Sequence, residues 1–206
     1  MNQMRIGRLL TFGSIVFFVL VLAIGLWLSR DDPKLNGSQI NPASEAYDFR
    51  LTDQNGFPYQ LSDHRGKLVV LFFGYTHCPD VCPMTLAQFR DIKDSLGQES
   101  DQVEFVFVTV DPEQDSVNRM KEYVDSFDPK FFGLTGTSPE LEPVWKNYGV
   151  YLEKHPGENG SVDTVDHSTR TYLIDPRGKL ILTYPFGFDT DLMVQDLQYL
   201  ITSSNS

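Results

Sequence analysis

The chain has 206 residues, 41% of them hydrophobic and 13% aromatic, enough apolar material for one packed domain with appendages and too much for a disordered chain. Its formal net charge is −11, and all 28 acidic residues follow Arg30, together with 14 of the 17 basic ones. Phosphate contacts need clustered Lys and Arg, so this composition speaks against a nucleic-acid partner and for an acidic, solvated surface.

Leu9 to Leu28 (LLTFGSIVFFVLVLAIGLWL) runs 20 residues without a charge, the length at which a helix crosses a bilayer core of about 30 Å. Arg5 and Arg8 precede it, and Asp31 and Asp32 follow. The positive-inside bias predicts a cytoplasmic N-terminus at 1–8, a single-pass membrane anchor at 9–28 and an extracytoplasmic (periplasmic) remainder. Leu26-Trp27-Leu28 lacks the small residues of a cleavage site, so the anchor is expected to be retained. No Cys follows the run to carry an acyl chain. Residues 29–46 are rich in Asp, Asn, Ser, Pro and Gly without an apolar period and predict a linker.

Residues 47–203 read as one globular domain. Phe49-Arg50-Leu51-Thr52 alternates as a strand does, Asn55-Gly56 predicts a hairpin turn, and Tyr59–Leu61 supplies the return strand. Leu68–Phe73 (LVVLFF) is a continuous apolar run of strand length, the pattern of a buried central strand. Gly74–Val81 follows as a loop. A helix is predicted from Cys82 to Leu96, with Pro83 at its start and Gly97 at its end. Val103–Val110 (VEFVFVTV) is a second buried strand, and Ser116 caps a helix to Ser126. Phe131–Leu134 predicts a short strand, and Ser138-Pro139 opens a helix to Tyr148. Pro156, Gly157, Asn159 and Gly160 make 150–167 a hairpin excursion. Thr171–Ile174, the turn Asp175-Pro176-Arg177-Gly178 and Leu180–Tyr184 form a final hairpin, and Asp189 caps a last helix to Ile201. Strand, helix, strand, helix, antiparallel hairpin and helix is the order of an α/β thioredoxin-like domain, here with an N-terminal β-hairpin and a hairpin insertion.

The chemistry concentrates in Gly74-Tyr75-Thr76-His77-Cys78-Pro79-Asp80-Val81-Cys82-Pro83, which holds the only two cysteines. A strand end exposes Cys78, and Cys82 falls where a helix begins, a position that favours thiolate over thiol. Thiolates are soft ligands that select copper(I) and zinc over hard ions. Two do not complete a zinc site, so a further ligand has to come from elsewhere. His64 and His155 lie in turns and are expected to face solvent. His77 adjoins Cys78, where neighbouring side chains diverge. His167 precedes the Thr171–Ile174 strand, whose entry faces the cysteine loop in a thioredoxin-like layout; the layout alone leaves it between a ligand and a surface residue. Met84 is soft too, but two residues along a helix it points about 200° from Cys82, which favours packing or exposure.

The segment 74–83 closely resembles the signature of the Sco/SenC family of copper-binding assembly factors of cytochrome c oxidase. Val165-Asp166-His167-Ser168, then Tyr172-Leu173-Ile174-Asp175 and Gly178, resemble a second family motif, and Thr109-Val110-Asp111-Pro112-Glu113 a third. The resemblance covers roughly residues 45–203 and implies that Cys78, Cys82 and His167 ligate one copper ion, as Cu(I) or Cu(II), with Asp111 and Asp166 nearby. It implies the copper-bearing subunit of cytochrome c oxidase as partner, served by copper delivery or by reduction of its cysteines. The competing reading is a thiol–disulfide oxidoreductase or thiol peroxidase using Cys78 and Cys82. Three residues separate the cysteines where those oxidoreductases carry two, and Asp166–Tyr172 supplies a His where they keep a Pro. A purely structural disulfide ranks last, since closing so short a loop restrains the unfolded chain weakly.

Overall fold

A computed structural model describes residues 35–156, 162–167 and 169–204, with 152–156 and 162–167 described as backbone. The predicted cytoplasmic segment 1–8, the anchor 9–28 and the start of the linker lie outside the described residues. Among the described residues no helix is long and apolar enough to cross a membrane.

The strands are β1 (Ser38–Glu45), β2 (Arg50–Thr52), β3 (Pro58–Gln60), β4 (Leu68–Gly74), β5 (Val103–Thr109), β6 (Phe132–Leu134), β7 (Leu152–Pro156), β8 (Val162–His167), β9 (Arg170–Ile174) and β10 (Lys179–Pro185). The helices are α1 (Val81–Leu96), α2 (Val117–Asp125), α3 (Ser138–Asn147) and α4 (Thr190–Ser204). Six strands form one sheet in the order β1-β10-β9-β4-β5-β6, and β2-β3 and β7-β8 form separate two-stranded sheets. β4, β5 and β6 run parallel, while β9 returns antiparallel to β4 with Thr171 opposite Phe72 and Ile174 opposite Val69. The thioredoxin-like order of elements is therefore present, with both additions.

β4 and β5 are central because every one of their residues is buried, as an apolar run covered on both faces must be. Successive side chains alternate between layers. Phe72 meets Phe107 and Phe89 on the face that α1 covers. Phe73 meets Tyr148 and Tyr172 on the other. α1 buries Leu86, Phe89, Ile92 and Leu96, one helical stripe. It stops at Gly97, whose φ of 56° suits a residue without Cβ. α2 starts where Ser116 accepts the Arg119 N–H, as its sequence predicts.

Two local readings are corrected. Residues 38–45, expected within the linker, are an edge strand on β10, held by backbone pairing interrupted between Gln39 and Ser44. SQINPASE has no apolar period to announce it, Ile40 and Ala43 falling out of strand alternation. Its tie comes from afar: the buried Asp196 carboxylate accepts the Asn36 and Gly37 amides at 2.8 and 2.9 Å and the Tyr184 hydroxyl at 3.0 Å. The first hairpin does turn through Asn55-Gly56, over the loop 53–57. There Asp53 Oδ1 accepts the Asn55 and Phe57 amides, both at 2.8 Å, and only Gly56 takes positive φ. The Asp side chain organises a wider loop. His64, expected in solvent, stacks on Tyr59 with ring centroids 4.0 Å apart and sets Nδ1 2.6 Å from Glu104.

Candidate metal centre

The end of β4 and the start of α1 build the cysteine loop. Val110 N–H donates to the Gly74 carbonyl at 2.8 Å, closing the β4–β5 ladder where the loop departs. The Cys78 N–H turns back to the Tyr75 carbonyl at 3.3 Å. α1 then opens at Val81, and its Cys82 N–H points at the Cys78 sulfur at 3.5 Å. This is one of the amides a helix N-terminus leaves without an intrahelical partner, and a sulfur carrying negative charge accepts it well. Asp80 stands at the cap position without a side-chain cap hydrogen bond.

The two cysteines are not joined in a disulfide and are unequal. Cys78 is half-buried, whereas Cys82 is fully enclosed. Contrary to the sequence-based expectation that the helix start favours its thiolate, the Cys82 thiol is pushed far up. Its hydrogen bond with Cys78 is the leading cause, followed by burial and the Cys78 and Asp115 charges. The helix terminus favours a thiolate only where desolvation does not outweigh it.

Beneath the loop lies Asp115, fully buried. Its carboxylate accepts the Thr76 amide at 3.2 Å, the Thr76 hydroxyl at 2.6 Å and the Thr109 hydroxyl at 2.6 Å. Burial raises the Asp115 pKa against the opposing pull of these three bonds. Arg119 Nε donates to the Thr76 hydroxyl oxygen at 3.1 Å, and His77 Nδ1 approaches the same oxygen at 3.2 Å. With Asp115 ionised, the single Thr76 hydroxyl proton is given to it, so His77 Nδ1 has to be the donor in its contact.

Asp111 is buried at the end of β5, receives the Gln114 side-chain amide at 2.7 Å and adds its charge to the field on Asp115. His167 is the last residue of β8, opposite Leu152 in register, and Asp166 lies opposite Glu153. Three residues after His167, β9 begins, and its Thr171 pairs with Phe72, two residues before the cysteine loop departs. The side chains of Asp166, His167 and His155 lie outside the described residues. Among the described residues no three of His, Cys, Asp or Glu cluster as a metal site. The donor set that is described, two hydrogen-bonded thiols with a helix N-terminus behind one of them, fits a soft cation rather than a hard one. Met84 is 54% exposed and lines a groove with Phe186 and Gly187, in keeping with the exposure read from helical spacing.

Sequence reasoning missed Asp115 and Thr76. A buried Asp six residues beyond a strand-end Thr is a usable signal, but Asp115 lies in an acidic loop ahead of a capped helix, where an exposed residue is the ordinary expectation.

Residues 37–202 match the SCO1/SenC family. The mitochondrial SCO2 homologue of mouse is 37% identical over 161 residues, covering 77% of this chain and 63% of its own length, so the chain spans less than two thirds of that relative. ScoI of Bradyrhizobium japonicum, solved with copper bound, is 37% identical, superposes with a TM-score of 0.71, and is matched over 76% of this chain and 99% of its own. BsSco, described with a disulfide switch as a member of the Sco family of cytochrome c oxidase assembly proteins, is 29% identical with a TM-score of 0.62, over 78% of this chain and 95% of its own. The extent of the family match and the shared α/β thioredoxin-like fold establish that this chain belongs to the SCO1/SenC family.

Proposed function

We propose that this chain carries one copper ion on Cys78, Cys82 and His167, with Asp111 and Asp166 close by, and serves the assembly of the binuclear copper centre of cytochrome c oxidase. Residues 9–28 would anchor it in the membrane with the domain on the extracytoplasmic side, where the copper-bearing oxidase subunit is its partner. The observation that carries the reading is the thiol pair itself. Cys82 donates its backbone N–H to Cys78, and both sulfurs meet at a strand–helix junction. Copper is the cargo, and its charge reverses the penalty that keeps Cys82 protonated, because a coordinating thiol loses its proton to the metal. The neighbouring position of the β8 end and the β4 end supports His167 as the third ligand. The copper-bound relative and the oxidase-assembly relative support cargo and partner.

Reduction of the target's cysteines uses the same sulfurs, and the inequality between them favours keeping it as a second reading. Half-exposed Cys78 would attack the target disulfide, releasing one target thiol and leaving a mixed disulfide. Buried Cys82 would then attack Cys78, releasing the second target thiol and leaving Cys78–Cys82 joined. Two electrons and two protons pass to the target.

His167→Ala in the full-length chain separates the readings. The carrier reading expects Cu(II) affinity to fall by about tenfold or more, roughly 1.4 kcal/mol, since Cu(II) prefers imidazole beside the thiolates. Disulfide-exchange rates should stay near the parent's. Unchanged copper affinity would remove His167 from the site and put thiol exchange ahead.

A further inference from the structure

We infer that Asp115 is the positioning residue of the cysteine loop, acting on Cys78 through Thr76. The inference concerns the thiol pair itself and rests on the proposed function only for its purpose. Thr76 precedes Cys78 by two residues, and it is buried although it leads into a loop. Both of its donors, amide and hydroxyl, go to Asp115. A residue that gives both donors to one buried carboxylate has a fixed backbone and a fixed rotamer. The Cys78 N–H then bonds the carbonyl of Tyr75, the residue before Thr76. The turn that sets the Cys78 sulfur is thus tied at Thr76 and closed on Tyr75.

Asp115 is itself held from three directions. The Thr109 hydroxyl at the end of β5 donates to its second oxygen at 2.6 Å, its N–H donates to the Asp111 carbonyl at 3.0 Å, and its carbonyl accepts the Thr135 hydroxyl at 2.8 Å beyond β6. The carboxylate therefore reports the position of the parallel strands to the loop. Arg119, from α2, closes the network from outside by donating to the Thr76 hydroxyl oxygen at 3.1 Å. A fully buried carboxylate is costly unless its lone pairs are filled, and here the donors filling them belong to the cysteine loop and the strand beside it. The position of the cysteine loop thus passes through one residue.

The test reads the dithiol–disulfide equilibrium of Cys78 and Cys82 in full-length protein against dithiothreitol buffers, a quantity that exists whether or not copper is the cargo. Asp115→Asn and Thr76→Val should each shift the exchange constant by about tenfold or more. The double variant should shift it no further than the stronger single, because both cut the same link. Thr76→Ser keeps the hydroxyl and should restore the parent's constant. Gly133→Ala, which overpacks Val124 away from the sulfurs, should cost stability without moving the constant, and so marks what a merely structural loss looks like. If Asp115→Asn does not fold, the Val and Ser variants at Thr76 decide the matter. A constant within twofold of the parent in folded Thr76→Val, or additive shifts in the double variant, would overturn the assignment. A parent that binds no copper would remove the carrier reading and leave this test intact.

Discussion

Gly74→Ala tests how tightly the fold closes on Cys82. A Cβ added at residue 74 would stand 2.6 Å from the Cys82 sulfur, 2.7 Å from Phe107 Cε2 and 3.1 Å from Phe72 Cε1. Comfortable contacts between such atoms lie near 3.5–4.0 Å, so the neighbours have to give by roughly 1 Å. All three are buried, and none is the free end of a flexible side chain. Gly74 does not take positive φ, so the backbone accepts alanine and the whole effect is overpacking, about 1–3 kcal/mol. For a domain of this size that lowers Tm by about 2–4 °C per kcal/mol. Gly133→Ala is the matched comparison: its Cβ would stand 2.8 and 3.0 Å from the Val124 methyls, at the β6 end of the sheet. Denaturation of the full-length chain should show comparable losses for both variants. Alkylation of the thiols under native conditions should be altered in Gly74→Ala alone, since only there is the sulfur displaced. A Gly74→Ala protein as stable as the parent, or one whose thiols react as the parent's do, would show that the junction is looser than these distances require.

Two further outcomes follow from buried and capping carboxylates. Asp196→Ala removes the acceptor of the Asn36 and Gly37 amides and strands the buried Tyr184 hydroxyl; it should cost roughly 3 kcal/mol and speed amide hydrogen exchange across 38–45, and unchanged protection there would mean that β1 holds without its latch. Glu140 closes a capping box on Thr137, whose amide and hydroxyl hold its carboxyl below the ordinary value of 4.5. A carboxyl with a lowered folded-state pKa stabilises above the unfolded value and loses that contribution as pH falls through the folded one. The stability gap between the parent and Glu140→Gln should therefore be present above pH 4.5 and close below it; a gap that persists to strongly acidic pH would contradict the assignment.

What the sequence made legible was periodic or punctuated. Leu68–Phe73 and Val103–Val110 announce buried parallel strands because covering both faces demands predominantly apolar runs. Ser116 and Gly97 mark helix ends by chemistry that needs no tertiary partner. The cysteine motif was equally plain, since two thiols at a strand–helix junction have few structural uses. What was not legible depended on distant partners. β1 has no pattern of its own and exists because Asp196, about 160 residues away, captures its approach. Asp115 reads locally as one more acidic residue ahead of α2, and its role appears only when β4 and β5 bring Thr76 and Thr109 to it. The Cys82 ionisation was misjudged for the same reason: the helix terminus is written in the sequence, while the Cys78 hydrogen bond and the depth of burial that outweigh it are not.

That misjudged thiol bears on how one pair of sulfurs would serve the carrier proposed above. Were both cysteines exposed and ionised, two adjacent negative charges would repel, and any oxidant or stray cation could reach them. Enclosing Cys82 and leaving Cys78 half-buried assigns the two sulfurs different duties. Cys78 is the more accessible sulfur, with a helix amide aimed at it. In the carrier proposed above, Cys82 would give up its proton only to a bound cation, since its hydrogen bond with Cys78 and its burial hold the thiol protonated. The same enclosure would make Cys82 the second sulfur to engage a target, whether that target draws an ion or exchanges a disulfide.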